Sequence, residues 1–205
     1  MPRSQLHPVP HASPHELELW WLELDPGTTI RARRESCQEA LLELLSDRLG
    51  RTVRHSEIVV GPTGKPRLAS SEIDFNLSHS GSEALIGIGS AGEIGVDLEV
   101  VRAVPEAAAL VAEYCTGNER DEWLCTDTSE RDLWLLRCWT RKEACLKAIG
   151  AGHFHPPAAI EVGVGPGPAR VTLWRGADAH HVEVCSAALP TGSPAAVAIR
   201  VRGHG

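Results

Sequence analysis

Glu143 and Lys147 stand four residues apart in WTRKEACLKAIG, residues 139–150, so on a helix the acid and the ammonium leave one face side by side. Asp97 and Glu99 stand two apart in EIGVDLE, residues 93–99, and a strand sends both carboxylates to one face. Brought together, three acids and a lysine suit a divalent cation carrying a polyphosphate. Magnesium takes oxygen ligands at ~2.1 Å and usually keeps phosphate oxygens and water in its shell. Each pair also has a plainer use. A D-x-E strand end is commonly solvated, and an i,i+4 Glu–Lys pair is commonly a surface ion pair contributing about 0.3–0.5 kcal/mol. The neighbours Trp134, Leu135, Trp139, Ala144, Leu146 and Ile149 favour the chemical reading for Glu143, because an unpaired charge among them is costly to bury. Asn76, Ser78 and His79, with Lys65 in a turn ahead of them, add groups that can cradle phosphate through charge-assisted bonds.

The elements that must position these residues follow from periodicity. ELELWWLEL, 16–24, alternates as a strand and Asp25-Pro26-Gly27 turns it. Ala40, Leu41, Leu44, Leu45 and Leu49 form a helical stripe over 31–49, which Gly50 stops. Residues 57–60 read as a short strand before GPTGKPRL, which lacks the spacing and terminal Ser or Thr of a Walker A loop. Segments 73–79, 84–89 and 94–99 read as three strands with tight connections, an antiparallel meander. Helices are expected over 105–114, 118–124 and 130–149, the last with Ser129 and Asp132 spaced as a capping box. Strands are expected at 160–164, 169–174, 181–187 and 195–201. Helix followed by strands thus occurs twice. The fold class is α+β, with two pseudo-symmetric subdomains, 16–100 and 101–205, after a loose lead-in of 1–15. Each packs a helix on a small antiparallel sheet, and the active site is expected at their interface.

Composition narrows the classes of function. A net charge of −7 over 205 residues argues against a phosphate-tracking nucleic-acid surface. No apolar run approaches the ~20 residues of a membrane helix, and the N-terminal residues lack the apolar core of a signal peptide. Cysteines 37, 115, 125, 138, 145 and 185 contain no C-x-x-C pair, which reads as free thiols in a reducing cytoplasm. His7, His11 and His15 are interleaved with Pro8, Pro10 and Pro14, and neither they nor His153 and His155 have standard metal spacing.

FNLSHSG at 75–81, GVDLE at 95–99 and WTRKEACLKAIG at 139–150, preceded by GKP at 64–66, resemble in order the signature motifs of Sfp-type 4′-phosphopantetheinyl transferases. The resemblance implies a pseudo-dimer of α+β subdomains and a reaction. Coenzyme A would donate its phosphopantetheine arm to a serine hydroxyl of an apo acyl or peptidyl carrier protein, releasing adenosine 3′,5′-bisphosphate, with Mg2+ as cofactor. It further implies Asp97, Glu99 and Glu143 as metal ligands, and Lys147 on the pyrophosphate. His79 and Ser78, with Asn76 nearby, would hold the 3′-phosphate end, Lys65 would add charge there, and Lys142 would be a weaker phosphate contact. Glu143, Lys147 and His79 would form the catalytic group, with Glu143 or a magnesium-bound water as general base. Glu119 occupies the approximate place of another acid of the family.

Some positions depart from that pattern. Val59 and Val60 stand where an arginine usually precedes GKP, and the basic residue of the first helix has Arg34 as its nearest match, with Gln38 or Leu42 at the expected places. Residues 151–154 replace a more usual glycine and leucine run. The carrier is expected to dock transiently on an apolar patch near Phe154 and Trp123, the enzyme remaining a monomer. Two other readings are an inactive coenzyme A- or carrier-binding module and a magnesium-dependent diphosphate hydrolase. Retention of all three acids and the lysine speaks against the first, and the lack of an evident water-orienting residue against the second.

Overall fold

The computed structural model describes residues 6–13, 15–70, 72–150, 155–165, 167–175 and 178–201. In chain order the elements are β1 (Leu6–Pro8), β2 (Leu17–Glu23), α1 (Ile30–Leu49), β3 (Ile58–Val60), β4 (Pro66–Leu68), β5 (Asp74–Ser80), β6 (Glu83–Gly89), β7 (Gly92–Leu98), α2 (Ala107–Tyr114), α3 (Gly117–Cys125), α4 (Arg131–Ile149), β8 (Ala169–Arg175), β9 (Asp178–Ala188) and β10 (Pro194–Val201). One four-stranded sheet has the order β1-β2-β6-β5 and a second β7-β10-β9-β8, while β3 and β4 form a small ribbon. All the pairings are antiparallel. The class is the α+β fold expected.

Four layers result, because each sheet is apolar on both faces. Leu22, Ala84, Ile86 and Ile88 of the first sheet pack against Cys37, Ala40, Leu41, Leu44 and Leu45 of α1. Its other face, with Leu19, Trp21 and Leu85, meets Ile94, Val96, Leu98, Val197 and Ile199 of the second sheet. The far face of the second sheet, with Leu173, Val182, Val184, Ala196 and Ala198, packs against α4. Thr29 caps α1 by accepting from Ala32 N, and Gly50 ends it at a left-handed φ of 64°.

The sequence differs from the structure most at β7. It does not continue a meander. It leaves β6 and pairs with β10 from Gly92↔Val201 to Leu98↔Ala195. The Ser90-Ala91 connection is as compatible with a step between facing sheets as with a hairpin in one, so only the burial of both faces of β7 decides. Alternate residues divide between layers: Ile94, Val96 and Leu98 enter the core between the sheets, and Gly95 and Asp97 face α4. The lead-in also contributes more than expected, since β1 pairs with β2, Val9 is buried and His11 bridges Ala187. Residues 160–164 form no strand: the carbonyls of Ile160 and Val162 accept from two buried basic residues of α4 described below.

Gly95 permits the approach on which the site depends. A Cβ there would lie 2.0 Å from Ala144 O and 2.4 Å from Ala148 N, so α4 rests directly on the strand. Gly95→Ala is expected to cost about 1–3 kcal/mol or more, as overpacking does against backbone that cannot yield. The fall should be read as a lowered urea midpoint, and an unchanged midpoint would mean that α4 tolerates displacement from β7.

Candidate active site

β5 and β7 are the adjoining edges of the two sheets, and polar side chains join them where a backbone ladder would otherwise run. Ile94 N donates to Asp74 Oδ2 at 2.6 Å and Val96 N to Asn76 Oδ1 at 2.8 Å. Ser78 Oγ donates to Asp97 Oδ1 and Ser80 Oγ to Glu99 Oε2, both at 2.8 Å, and Val100 N donates to Ser80 Oγ at 3.3 Å. Residues 74, 76, 78 and 80 share one face by strand periodicity. The seam therefore satisfies backbone donors that would be orphaned at two buried edges.

Asp97 is the centre of the arrangement. It is 5 % exposed, and its Oδ1 receives Lys147 Nζ at 2.6 Å as well as the Ser78 hydroxyl, which itself accepts from Lys147 Nζ at 3.0 Å. Burial pushes the Asp97 carboxyl above its usual range even though Lys147 and Ser78 pull it down. Its Oδ2 is buried without a hydrogen-bond partner. An acceptor-only oxygen in that condition, in a site short of positive charge, fits a hard divalent cation. Glu99 and Glu143 line the same cavity of about 630 Å³, with His79, Leu77, Leu146, Tyr114, Trp139 and residues 155–157. Tyr114 stacks on Trp139 with ring centroids 4.3 Å apart, and burial and the charges of Glu143 and Glu113 push its hydroxyl pKa up. One side of the cavity is thus ionic and another aromatic.

The structure brings together Ser78, His79, Asp97, Glu99, Glu143 and Lys147 of the expected residues. Others it places elsewhere. Asn76 is 8 % exposed and committed to the seam. Lys65 pairs with Asp74 at 2.6 Å and lines a separate cavity of about 300 Å³ with Arg67, Arg200 and Gly150. Its anchor lies four residues along β5 from Ser78, about 13 Å at the rise of an extended strand. Arg34 is exposed on α1, and it is the adjacent Arg33 that ties this helix to the β5–β6 turn through Gly81 O at 2.9 Å. Trp123 belongs to the core, with Arg131 stacked over it at 4.8 Å, so it does not offer a docking patch. Phe154 lies outside the described residues.

Lys142 requires the largest correction. It is 1 % exposed and pairs with the equally buried Glu119 at 2.6 Å, its remaining protons going to Pro157 O and Ile160 O. Glu119 in turn accepts from Thr116 N and Val162 N, which completes a capping box at the start of α3. The expected box at Ser129 and Asp132 does not form the start of α4, whose first turn has no side-chain cap. Arg141 is likewise buried, donating to Val162 O, Gly165 O, Gly167 O, Val184 O and Ser186 Oγ. The two basic residues preceding Glu143 therefore fasten 157–167 to α4.

Cys115, Glu119 and Cys138 are the trio among the described residues whose ligand atoms lie within 4.8 Å of one another. Its chemistry does not suit a cation. Lys142 already neutralises the carboxylate, and the contact between the thiols that pulls Cys115 down pushes Cys138 up, so the two do not both favour the thiolate a metal needs.

Sequence reasoning missed Tyr114, residues 155–157 and Ser80. The polar residues at 74, 76, 78 and 80 were the available signal: a strand polar on one whole face inside an apolar protein must meet polar groups across it. Among the described residues no helix is long and apolar enough to cross a membrane.

A family model described as the 4′-phosphopantetheinyl transferase superfamily matches residues 93–199. The chain is 35 % identical over 116 residues to slr0495 of Synechocystis sp., which bears the name 4′-phosphopantetheinyl transferase provisionally, covering 55 % of this chain and 47 % of that protein. It is 35 % identical over 95 residues to the 4′-phosphopantetheinyl transferase AcpT of Escherichia coli K12, covering 46 % and 49 %. With the 4′-phosphopantetheinyl transferase HetI of Nostoc sp. it shares 36 % over 93 residues, covering 43 % and 39 %. The chain thus spans about half the length of the curated relatives it matches.

Proposed function

Because the chain belongs to the 4′-phosphopantetheinyl transferase superfamily, we propose that it transfers the phosphopantetheine arm of coenzyme A to a serine of an apo carrier protein. The observation that carries this reading is the convergence of Asp97, with its unpartnered buried oxygen, Glu99, Glu143 and Lys147 on one cavity. Its volume lies within the roughly 300–1,000 Å³ of small-molecule sites.

Asp97, Glu99 and Glu143 would hold Mg2+, which when bound supplies charge stabilisation for a bridging diphosphate. The chain's own residues do the rest. Lys147, held by Asp97 and Ser78, presents its ammonium to the diphosphate from the helix face that also bears Glu143. His79, exposed near the end of β5 and lining the cavity, would meet a further phosphate. The serine oxygen attacks the phosphorus bearing the pantetheine oxygen, and the bond to the bridging oxygen breaks. Adenosine 3′,5′-bisphosphate leaves with that electron pair. The serine proton passes to a base of the cavity, for which Glu143 is the candidate. Positioning and electrostatic stabilisation account for most of the acceleration in such a transfer. The stacked Tyr114 and Trp139 and the prolines at 156 and 157 give the less polar end of the arm or the serine-bearing peptide an apolar wall.

The test mixes the protein with Mg2+, coenzyme A and an apo carrier and weighs the carrier by mass spectrometry. A gain of one phosphopantetheinyl group that chelation by EDTA abolishes is the expected result. An unmodified carrier would favour a binding module, and free phosphopantetheine without carrier labelling would favour a hydrolase.

A further inference from the structure

Glu83, the first residue of β6, is 6 % exposed, and its carboxylate accepts three neutral donors. Oε2 receives Trp21 Nε1 at 3.1 Å and Thr191 Oγ1 at 2.9 Å, and Oε1 receives Ser193 Oγ at 2.8 Å. Trp21 lies in the first sheet, whereas Thr191 and Ser193 belong to the β9–β10 turn of the second, so one side chain clasps both halves of the molecule.

Both ends of that clasp lead to Glu99. Residue 194, next to Ser193, accepts Glu99 N through its carbonyl at 3.0 Å. On the other side, Glu83 is the cross-strand partner of Ser80 in the β5–β6 hairpin, and Ser80 Oγ donates to Glu99 Oε2. The backbone of Glu99 is thus held by the end of the β7–β10 ladder and its carboxylate by the β5–β6 hairpin, two segments that Glu83 joins. We propose that Glu83 is a positioning residue of the cation site, fixing Glu99 against Asp97 by locking the β9–β10 turn to the β5–β6 hairpin. This rests on the metal reading of the cavity given above. Buried carboxylates bonded to charged or neutral donors hold geometry more tightly than neutral acceptors do, and outer partners of metal ligands tune affinity through orientation.

The experiment titrates Mn2+ into the protein with coenzyme A present and follows the free ion by electron paramagnetic resonance, with thermal unfolding measured in parallel. Glu83→Leu is the decisive variant: it removes both acceptor oxygens and leaves the indole N–H, which cannot invert, without its partner, whereas a glutamine could keep Trp21 and Thr191 on its oxygen and donate to a rotated Ser193 hydroxyl. Glu83→Leu should weaken Mn2+ binding about tenfold, the lower end for an outer partner. Ser193→Ala removes one of the two bonds to the turn, Thr191 keeping the other, and should act in the same direction by less. Trp21→Phe removes only the arm within the first sheet and should leave Mn2+ binding as in the parent, whatever it does to the melting temperature. If all three variants lose affinity in proportion to lost stability, or if Glu83→Leu and Ser193→Ala bind as the parent does, the positioning role is overturned. Should Glu83→Leu not fold, Ser193→Ala decides alone. A parent protein that binds no Mn2+ overturns the cation reading of the cavity, and this inference with it.

Discussion

Asp97→Asn protein is expected to remain folded and to lose about a hundredfold to a thousandfold in transfer rate, since a divalent ion stabilises several kcal/mol of developing charge and each 1.36 kcal/mol is tenfold. The carboxamide oxygen can still accept from Ser78 and Lys147, so the local hydrogen bonds survive. What is lost is the anionic Oδ2, the atom the fold buries without a partner. Stability should change little, because the charge removed is one whose burial already raises its pKa and opposes ionisation, while Lys147 is 31 % exposed and can turn to water. Carrier mass spectrometry measures the rate and thermal unfolding the fold. Labelling at the parental rate would remove Asp97 from the ligand set and leave Lys147 as its only purpose.

Lys142→Met has a comparably large expected effect of the opposite kind. Removing one partner of a buried ion pair leaves the other charge uncompensated and typically costs about 3–5 kcal/mol. Here the stranded group is Glu119, whose side chain is 1 % exposed. Against a total stability of roughly 5–15 kcal/mol for an ordinary domain, that loss should move the urea midpoint far down. The double variant Lys142→Met/Glu119→Gln should recover part of it, because it removes the stranded charge; the single carboxamide oxygen then accepts from one of Thr116 N and Val162 N, and the bond to the other is lost. A phosphate contact would behave differently: the single variant would keep its midpoint and show a raised KM for coenzyme A. That pattern would restore the role implied by resemblance and refute the structural one.

These two residues show where sequence reading succeeds. The place of Asp97 on the cavity was legible because it depends on residue type and a period-two spacing, and the strand delivers both. Lys142 has a suitable type too, and it lies one residue from Glu143. On a helix that single step is about 100° of rotation, enough to turn the side chain from the cavity into the core. Neither composition nor charge reveals which way, because the answer depends on where Glu119 and the 157–160 carbonyls come to lie.

The same distinction runs through the fold. The helices at 30–49 and 131–149, the main strands and the glycine stops were determined by local periodicity and capping, which act within a few residues along the chain. Membership of β7 in the second sheet was decided only in three dimensions, since its pairing partner β10 lies about a hundred residues away and both faces of the strand had to be covered. Once β7 had moved, the even-numbered polar residues of β5 acquired their meaning as a seam, Asn76 became a tie between sheets and Glu83 a clasp. The sequence by itself determined which acids and which lysine were available for chemistry. The tertiary structure decided which cations were spent on packing, because a buried charge must find its counter-charge wherever the chain happens to bring one.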